Sequence, residues 1–290
     1  METKQYSRAA DFLAHIKQCL IKDEARYGLI MGIAKILAEN ENRYGGETPW
    51  YCTITSPPRL LGIKKPEMYA AALRTPPHGV VLAYFTGSLD LIADALVAAV
   101  SSKYKQIPGV VGDKALADIF AERWRQSHNV KIVNTMAQCI YKLVKVNNVP
   151  LSSGKLRVAT EADIELVKKW GHGFHVDIGG EASGTPEMDI AAVISRGWVF
   201  LWELNGQPVS MALKTRPTDK GMTVSGVYTP PELRGKGYAT SCVAELSSHI
   251  LKSGKEFCTL YTDLANPTSN SIYKKIGYVE VADSVEHTFG

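Results

Sequence analysis

Apolar residues in the first 150 positions switch between helical and strand spacing. Leu13, Ile16 and Leu20 recur at three- and four-residue steps, which places them on one face of a helix. Short runs of aromatic and β-branched residues instead favour strands. The pattern predicts helices over residues 6–20, 23–39, 89–103 and 113–126, strands over 50–54, 69–73 and 79–85, a chain break at Gly45-Gly46, a loop around Pro108-Gly109, and mostly extended chain over 131–146.

The second half has its own pattern, which begins after a small polar segment at residues 150–154. Thr160 and Asp163 have the spacing of a capping box, which predicts a helix start. Asn205-Gly206 between two apolar runs is a strong hairpin signal. We predict strands over 156–159, 197–204, 208–216, 221–229, 257–261 and 278–282, helices from 160 to about 170, over 186–196, from 238 to Gly254 and over 266–276, and a glycine-rich loop over 171–184 that holds His172 and His175.

This order of elements, β-α-α-β-β-β-α-β-α-β, predicts the fold class of the second half. Antiparallel strands come first, and a β-α-β crossover then places one strand parallel to its neighbour. We expect an α+β (mixed α/β) fold with a mostly antiparallel sheet flanked by helices. The predicted domains are 1–152, an N-terminal α/β domain, and 153–290.

The composition argues against several classes of binding partner. The chain has 290 residues, 45% of them hydrophobic, and a formal net charge of +4. Such a mild charge, with no basic run, argues against a nucleic-acid partner. The sequence has no apolar run long enough to span a membrane, and its five cysteines lack metal-ligand spacing. We therefore expect a cytoplasmic protein that binds no metal, membrane or nucleic acid.

The segment 224–241 carries the most specific chemistry. It combines a β-branched run, Pro230-Pro231, the loop Arg234-Gly235-Lys236-Gly237 and a helix start. Free N–H groups at a glycine-rich helix start attract phosphate. The segment fits neither the P-loop, which needs Gly-Lys-Ser/Thr, nor the dinucleotide fingerprint, where Thr240 replaces the third small residue. Taken alone, it is either a phosphate loop or a plain turn.

Two motifs in order resemble the GNAT superfamily of N-acetyltransferases over about residues 155–285. Arg234, Gly237 and Ala239 fit that family's pyrophosphate loop. Residues 266–278 resemble its Asn-x-x-Ala-x-x-x-Tyr-x-x-x-Gly-Phe helix, with Ser269 in place of Ala and Tyr278 in place of Phe.

The resemblance implies acetyl-coenzyme A as acyl donor and direct transfer of acetyl to an amine. Val227, Tyr228 and Thr229 would pair with the pantetheine arm, and a backbone N–H near Val227 would stabilise the oxyanion. Tyr273 would protonate the leaving sulfur. The implied cofactor-binding residues are Val227, Tyr228, Thr229, Arg234, Gly235, Lys236, Gly237, Tyr238, Ala239, Thr240, Asn266, Asn270 and Tyr273.

The general base is open on sequence grounds. The amine acceptor arrives protonated, so a nearby group must remove a proton. Glu203 and His175 rank first as candidates, ahead of His172, Glu232 and Asp263. Each of these is also an ordinary surface residue type. Cys242 and Cys258 fall in apolar patterns and are predicted to be buried rather than acyl carriers.

The first half of the chain weakly resembles the second, because a predicted buried strand precedes Thr86-Gly87-Ser88 and a helix. It is either a degenerate GNAT-like copy without cofactor, giving a pseudo-dimer in one chain, or an unrelated domain. We expect a monomer or a homodimer, with a small-molecule amine or a peptide as acceptor. Two other functions stay open: a non-catalytic acyl-coenzyme A binding or sensing protein, and an interaction module that binds no coenzyme A.

Overall fold

A computed structural model describes residues 1–43, 47–57, 65–178 and 189–290. It divides into two compact units. The first comprises Met1–Ile140, Asp263–Ala265 and Val281–Gly290, and the second comprises Tyr141–Thr262 and Asn266–Glu280. The predicted boundary between residues 152 and 153 stays a prediction.

The first half of the chain contains six strands and four helices in its described part. They are β1 (Glu2–Tyr6), α1 (Ala9–Leu20), α2 (Gly28–Glu39), β2 (Trp50–Thr55), β3 (Met68–Arg74), β4 (Val80–Tyr84), α3 (Leu89–Ser101), β5 (Gly109–Asp113), α4 (Lys114–His128) and β6 (Ile132–Leu143). Strands β1 to β4 form an antiparallel meander, and β4 pairs with β5 in parallel across α3.

Strict alternation along these strands gives the first unit two apolar layers. Tyr51, Leu73 and Val81 face α1 and α2, whereas Cys52, Ala72 and Leu82 face α3 and α4. A sheet with helices on both faces buries both sets of side chains.

The second half repeats the same order. Its elements are β7 (Lys155–Val158), α5 (Ile164–Asp177), α6 (Ile190–Ser195), β8 (Val199–Leu204), β9 (Gln207–Thr215), β10 (Gly221–Tyr228), α7 (Tyr238–Lys252), β11 (Phe257–Asp263), α8 (Pro267–Ile276) and β12 (Val279–Phe289). Strands β7 to β10 are antiparallel neighbours, and β10 pairs with β11 in parallel. The predicted fold class, with its mostly antiparallel pairing, is confirmed.

Several local predictions are confirmed with their expected geometry. Asn205 and Gly206 both have positive φ, 50° and 79°, as a type I′ hairpin turn requires. The capping box of Thr160 and Asp163 is present. Helix α8 ends at Gly277, which has the left-handed φ of 112° that favours glycine.

Other local predictions were wrong. Gly109–Asp113 is a strand rather than a loop, and residues 2–6, where no strand was predicted, form a strand that pairs with β2. The predicted strand over 278–282 is present but longer, since the segment 279–289 is one strand, whose part Ser284–Thr288 pairs with β5 in the first unit. In each of these segments the partner strand, not local propensity, decides the conformation.

The predicted loop over 171–184 was also wrong for its first seven residues. Helix α5 continues through Gly171 and Gly173 to Asp177, so His172 and His175 are helical. Burial of Val167 and Trp170 against β8 and β9 stabilises this helix despite its glycines. Residues 179–184 of that loop, the start of the predicted helix at 186 and the break at Gly45-Gly46 lie outside the described residues.

Candidate functional site

A β-bulge interrupts β10 where the pantetheine strand was predicted. The register with β9 shifts between Ser225 and Tyr228, and Gly226 has a φ of 56°. A bulge leaves a residue unpaired and bends the strand. Glycine suits this position because its φ is costly for other residues.

The parallel pairing of β10 with β11 ends early. It covers Gly221 to Thr223, opposite Phe257 to Thr259, although β10 continues to Tyr228 and β11 to Asp263. Within the described residues, the later part of β10 has no strand partner on its β11 side. Its main-chain groups can therefore pair with an extended ligand, as an added strand would.

The connection from β10 to α7 presents a cluster of N–H groups. Gly235 and Gly237 have φ values of 77° and 78°, and Gly237 is the N-cap of the 15-residue α7. Across the described chain, the N–H groups of residues 235–240 have no hydrogen-bond acceptor. A Cβ at Gly235 would meet no atom within 4 Å, so the loop is open to a ligand. Such a cluster at a helix start fits a pyrophosphate.

Arg234 holds this loop in place. Its Nε donates to the Thr229 carbonyl at 2.8 Å, and its Nη2 pairs with the Asp177 carboxylate at the end of α5. Its guanidinium also lies 5.7 Å from the centre of the Tyr228 ring. The contacts tie β10, the loop and α5 together, so Arg234 positions the loop instead of offering a free charge. Sequence reasoning missed Asp177.

The end of β10 is fixed by side chains that the sequence did not single out. Ser210 donates its hydroxyl to the Tyr228 carbonyl at 3.1 Å and accepts from Thr229 Oγ1 at 2.9 Å. The Tyr228 side chain packs on α5, where a Cβ at Gly173 would lie 2.4 Å from the Tyr228 hydroxyl. Gly173 is therefore required by close packing, which a single glycine in a helix can signal but not prove.

The two predicted asparagines of α8 are engaged within the protein. Asn266 caps the helix, since its Oδ1 accepts from the Ser269 N–H at 3.0 Å. Asn270 donates to the Asn266 carbonyl at 2.7 Å and accepts from the Tyr141 hydroxyl at 3.2 Å. Asn266 keeps its NH₂ group for a ligand amide, whereas both ends of the Asn270 amide are used.

Tyr273 lies in α8 and is 8% exposed. Its ring centre is 6.4 Å from that of Tyr141 and 6.0 Å from that of Tyr278. Burial raises the pKa of Tyr273 to about 12, and a hydrogen bond with Ser269 acts in the opposite direction. The phenol therefore stays protonated at neutral pH, where it can donate a hydrogen bond.

The substitution of Tyr for Phe at position 278 has a structural reason. Tyr278 is buried, and its hydroxyl lies 2.8 Å from Ser247 Oγ on α7. A buried phenol needs such a partner. Tyr278 therefore joins α7 to the segment after α8.

The two candidate bases have different surroundings. Arg157 donates to Glu203 at 2.6 Å and to both Asp163 oxygens, at 2.8 and 2.9 Å. The hydrogen bond from Arg157 lowers the pKa of Glu203, which makes it a weaker base. His175 lies on α5, two residues before Asp177. Both roles stay predictions.

The thiols of Cys242 and Cys258 are buried, as predicted. Cys242 and Cys258 are both fully buried, and burial raises the pKa of each to about 12. No group of three or more metal-ligating side chains occurs among the described residues. Likewise, no helix in the described ranges is long and apolar enough to cross a membrane.

Comparison with known proteins agrees with this geometry. Residues 206–286 match the family model of FR47-like protein. A GNAT-family acetyltransferase from Colwellia psychrerythraea covers 100% of both chains, with 12% identity and a TM-score of 0.56. A GCN5-related N-acetyltransferase from Sphaerobacter thermophilus covers 98% of this chain and 94% of its own, with 13% identity and a TM-score of 0.61.

The fold is that of GNAT acetyltransferases. A Drosophila protein has a TM-score of 0.67 at 13% identity, over 99% of this chain and 98% of its own. None of the curated proteins compared matches the sequence. At such identities the likeness is one of fold, so the activity of this chain has to be argued from its own residues.

Proposed function

We propose that the protein transfers an acetyl group from acetyl-coenzyme A directly to an amine. The observation that carries the proposal is the arrangement at the end of β10. A bulge at Gly226, an unpaired strand edge and six free N–H groups at residues 235–240 follow one another. The fold, shared with GNAT acetyltransferases, supports the same function.

Each part of this arrangement has a place in the reaction. The backbone N–H groups of 235–240 would hold the pyrophosphate, and Val227 to Thr229 would pair with the pantetheine arm. Acetyl-coenzyme A supplies an activated thioester. A backbone N–H near Val227 would hydrogen-bond to the thioester oxygen as negative charge develops there.

Tyr273 would donate a hydrogen bond to the sulfur as the thiolate leaves. Its pKa of about 12 makes complete proton transfer to a thiolate unfavourable. We therefore assign it stabilisation of the developing charge rather than full protonation. His175 would accept the proton of the amine, because Glu203 is held in an ion pair with Arg157.

The test is an amine panel with acetyl-coenzyme A, in which released coenzyme A is detected as free thiol. Polyamines, amino acids, aminoglycosides and peptides with a free N-terminus cover the main acceptor chemistries. We expect amine-dependent thiol release with at least one class, together with a mass increase of one acetyl group on that amine. Hydrolysis alone, at the same rate with and without amine, would contradict the proposal.

One observation favours a second function, non-catalytic binding of acyl-coenzyme A. The Glu203 carboxylate, a predicted base, is already paired, while the pyrophosphate loop is open. Under this alternative, acetyl-coenzyme A raises the melting temperature, as any ligand specific for the native state does. No amine in the panel is then acetylated.

A further inference from the structure

The first unit contains a buried arginine at the end of β3. Arg74 is 7% exposed and lies on the side of the sheet that faces α3 and α4. Its Nε donates to the His78 carbonyl at 2.9 Å. Its Cζ lies 4.1 Å from the centre of the Tyr104 ring, so the guanidinium rests against the aromatic face.

Arg74 differs from two other partly buried arginines in the charge beside it. Arg26 pairs with Asp113, and Arg157 pairs with Asp163 and Glu203. Among the described residues, no carboxylate lies within ion-pair distance of Arg74. A desolvated cation is costly without a counter-charge, and an aromatic ring offsets only part of that cost.

A second donor without a partner lies beside it. The Tyr104 hydroxyl is enclosed and has no hydrogen-bond partner in the described part of the chain. The Trp50 ring meets that of Tyr104 edge to face at 6.4 Å, and its N–H is already donated to Gln5. The phenolic O–H therefore lacks an acceptor, and the Arg74 guanidinium has further N–H groups beyond the Nε that bonds to His78.

The other titratable groups nearby are one imidazole and one exposed carboxylate. Burial, followed by the Arg74 charge, lowers the pKa of His78, so this imidazole is mostly neutral at neutral pH. Burial raises the pKa of Tyr104, the Arg74 guanidinium beside it acts in the opposite direction, and the exposed Glu47 carboxylate raises this pKa as well. Glu47 is thus a nearby negative charge, outside ion-pair distance of Arg74.

We propose that Arg74 and Tyr104 bind a small oxyanion, either a carboxylate or a phosphate. A guanidinium offers two parallel N–H bonds to such a group, and the phenol adds a third donor. The site lies wholly in the first unit and uses none of the residues assigned to acetyl-coenzyme A.

The test measures binding of sodium phosphate and sodium acetate by calorimetry and thermal shift, with sodium chloride at equal ionic strength as reference. We expect one of the two oxyanions to bind and to raise the melting temperature above the chloride reference. Phosphate alone would identify a phosphate site, and acetate alone a carboxylate site. No binding of either would overturn the proposal.

Variants locate the binding. Tyr104→Phe keeps the ring against the guanidinium and removes one donor, so affinity should fall about tenfold. Arg74→Met should abolish binding. If Arg74→Met does not fold, Tyr104→Phe decides alone. Equal affinity in wild type and Tyr104→Phe would contradict the site.

A variant of Glu47 provides a further test of the proposed oxyanion site. Glu47→Gln removes a repelling charge, so oxyanion affinity should rise about threefold. A loss of stability without a gain in affinity would show that Glu47 itself is the counter-charge, and the proposal would fail. Gly237→Glu distinguishes phosphate bound at Arg74 from phosphate bound in the β10–α7 loop. In this variant, the binding that depends on Arg74 should persist.

Discussion

The two halves of the chain have the same order of elements and different strand ends. Each runs β-α-α-β-β-β-α-β-α-β, with three antiparallel pairings followed by one parallel pairing across a helix. This is the order that a tandem GNAT-like chain would show. The tandem origin itself stays a prediction.

In the first unit the ends of the parallel strands are closed by side chains. Tyr27 donates its hydroxyl to the Tyr84 carbonyl at the end of β4, at 2.9 Å. Arg26 pairs with Asp113 at the end of β5. The connection to α3 has four residues, 85–88, and Phe85 and Thr86 turn their N–H groups back to the Tyr69 carbonyl.

In the second unit the corresponding ends are open. β10 carries a bulge, whereas β4 pairs with β3 in unbroken register. The connection to α7 has nine residues, 229–237, with two glycines at positive φ. The two units therefore share a skeleton and differ in one bulge and one loop, and the proposed cofactor site lies where they differ.

The largest expected effect comes from closing the loop of the second unit. Gly237→Glu places a negative side chain among the N–H groups of 235–240 and strains a φ of 78°. We expect the KM for acetyl-coenzyme A to rise at least about 100-fold, because like charges repel the pyrophosphate. Steady-state kinetics and calorimetry measure it.

Gly254→Glu is the matched control for that variant. Gly254 follows the opposite end of α7 and has a φ of 96°, and a Cβ at this position would meet no atom within 4 Å. The control variant carries the same strain and the same added charge away from the loop. Equal loss of affinity in both variants would show that the loop has no special role.

A smaller effect is expected from the buried tyrosines of the second unit. Tyr273→Phe removes the donor proposed for the leaving sulfur, so kcat should fall about tenfold to hundredfold. Tyr278→Phe removes a bond to Ser247 instead and should cost about 1 kcal/mol of stability with kcat unchanged. An unchanged kcat in Tyr273→Phe would remove Tyr273 from the mechanism.

The pH dependence sharpens the same assignment. Burial raises the pKa of Tyr273 to about 12, so its donating form persists across the neutral range and is lost only as pH rises towards that value. We therefore expect that ionisation of Tyr273 causes no fall in the wild-type rate between pH 7 and 10. Any fall in that range should also be seen in Tyr273→Phe. A fall near pH 8 that disappears in the variant would contradict the burial of this phenol.

The sequence predicted the local backbone of the second unit well because its signals are local. Gly237, the N-cap Asn266 and the C-cap Gly277 each impose a backbone conformation that neighbouring residues do not alter. The pairing of Asn205 with Gly206 likewise fixes a turn by itself. Such signals can be read without knowing what packs against them.

The residues that hold the site in place could not be predicted, because their roles depend on contacts distant in sequence. Asp177 meets Arg234 across 57 positions, and Tyr141 reaches Asn270 across 129. Strand β5 was missed for the same reason, since its partners are β4 and β12. Hydrophobic periodicity does not encode such pairings.

Two glycines of α5 test whether packing around Tyr228 supports the open site. Gly173→Ala places a Cβ 2.4 Å from the Tyr228 hydroxyl, so the ring and the end of β10 must shift. We expect the KM for acetyl-coenzyme A to rise about tenfold, in keeping with the sensitivity of positioned groups to small displacements. Gly171→Ala meets nothing within 4 Å and should raise stability by about 0.5–1 kcal/mol. A larger rise in KM for Gly171→Ala than for Gly173→Ala would show that the packing of α5 on Tyr228 does not support the site.

The smallest effect is expected at the closed strand ends of the first unit. Tyr27→Phe removes the bond to the Tyr84 carbonyl and should cost about 1 kcal/mol of unfolding free energy, with kcat and KM unchanged. Calorimetry should find one coenzyme A per chain in both wild type and Tyr27→Phe, because Arg26 still pairs with Asp113 and Phe85 and Thr86 still bond to Tyr69. Two coenzyme A molecules per wild-type chain would mean that open strand ends are not what distinguishes the halves. One per chain, lost in Gly237→Glu and kept in Tyr27→Phe, would place the only binding event in the second unit, at the loop after β10 and at the bulge that β4 lacks.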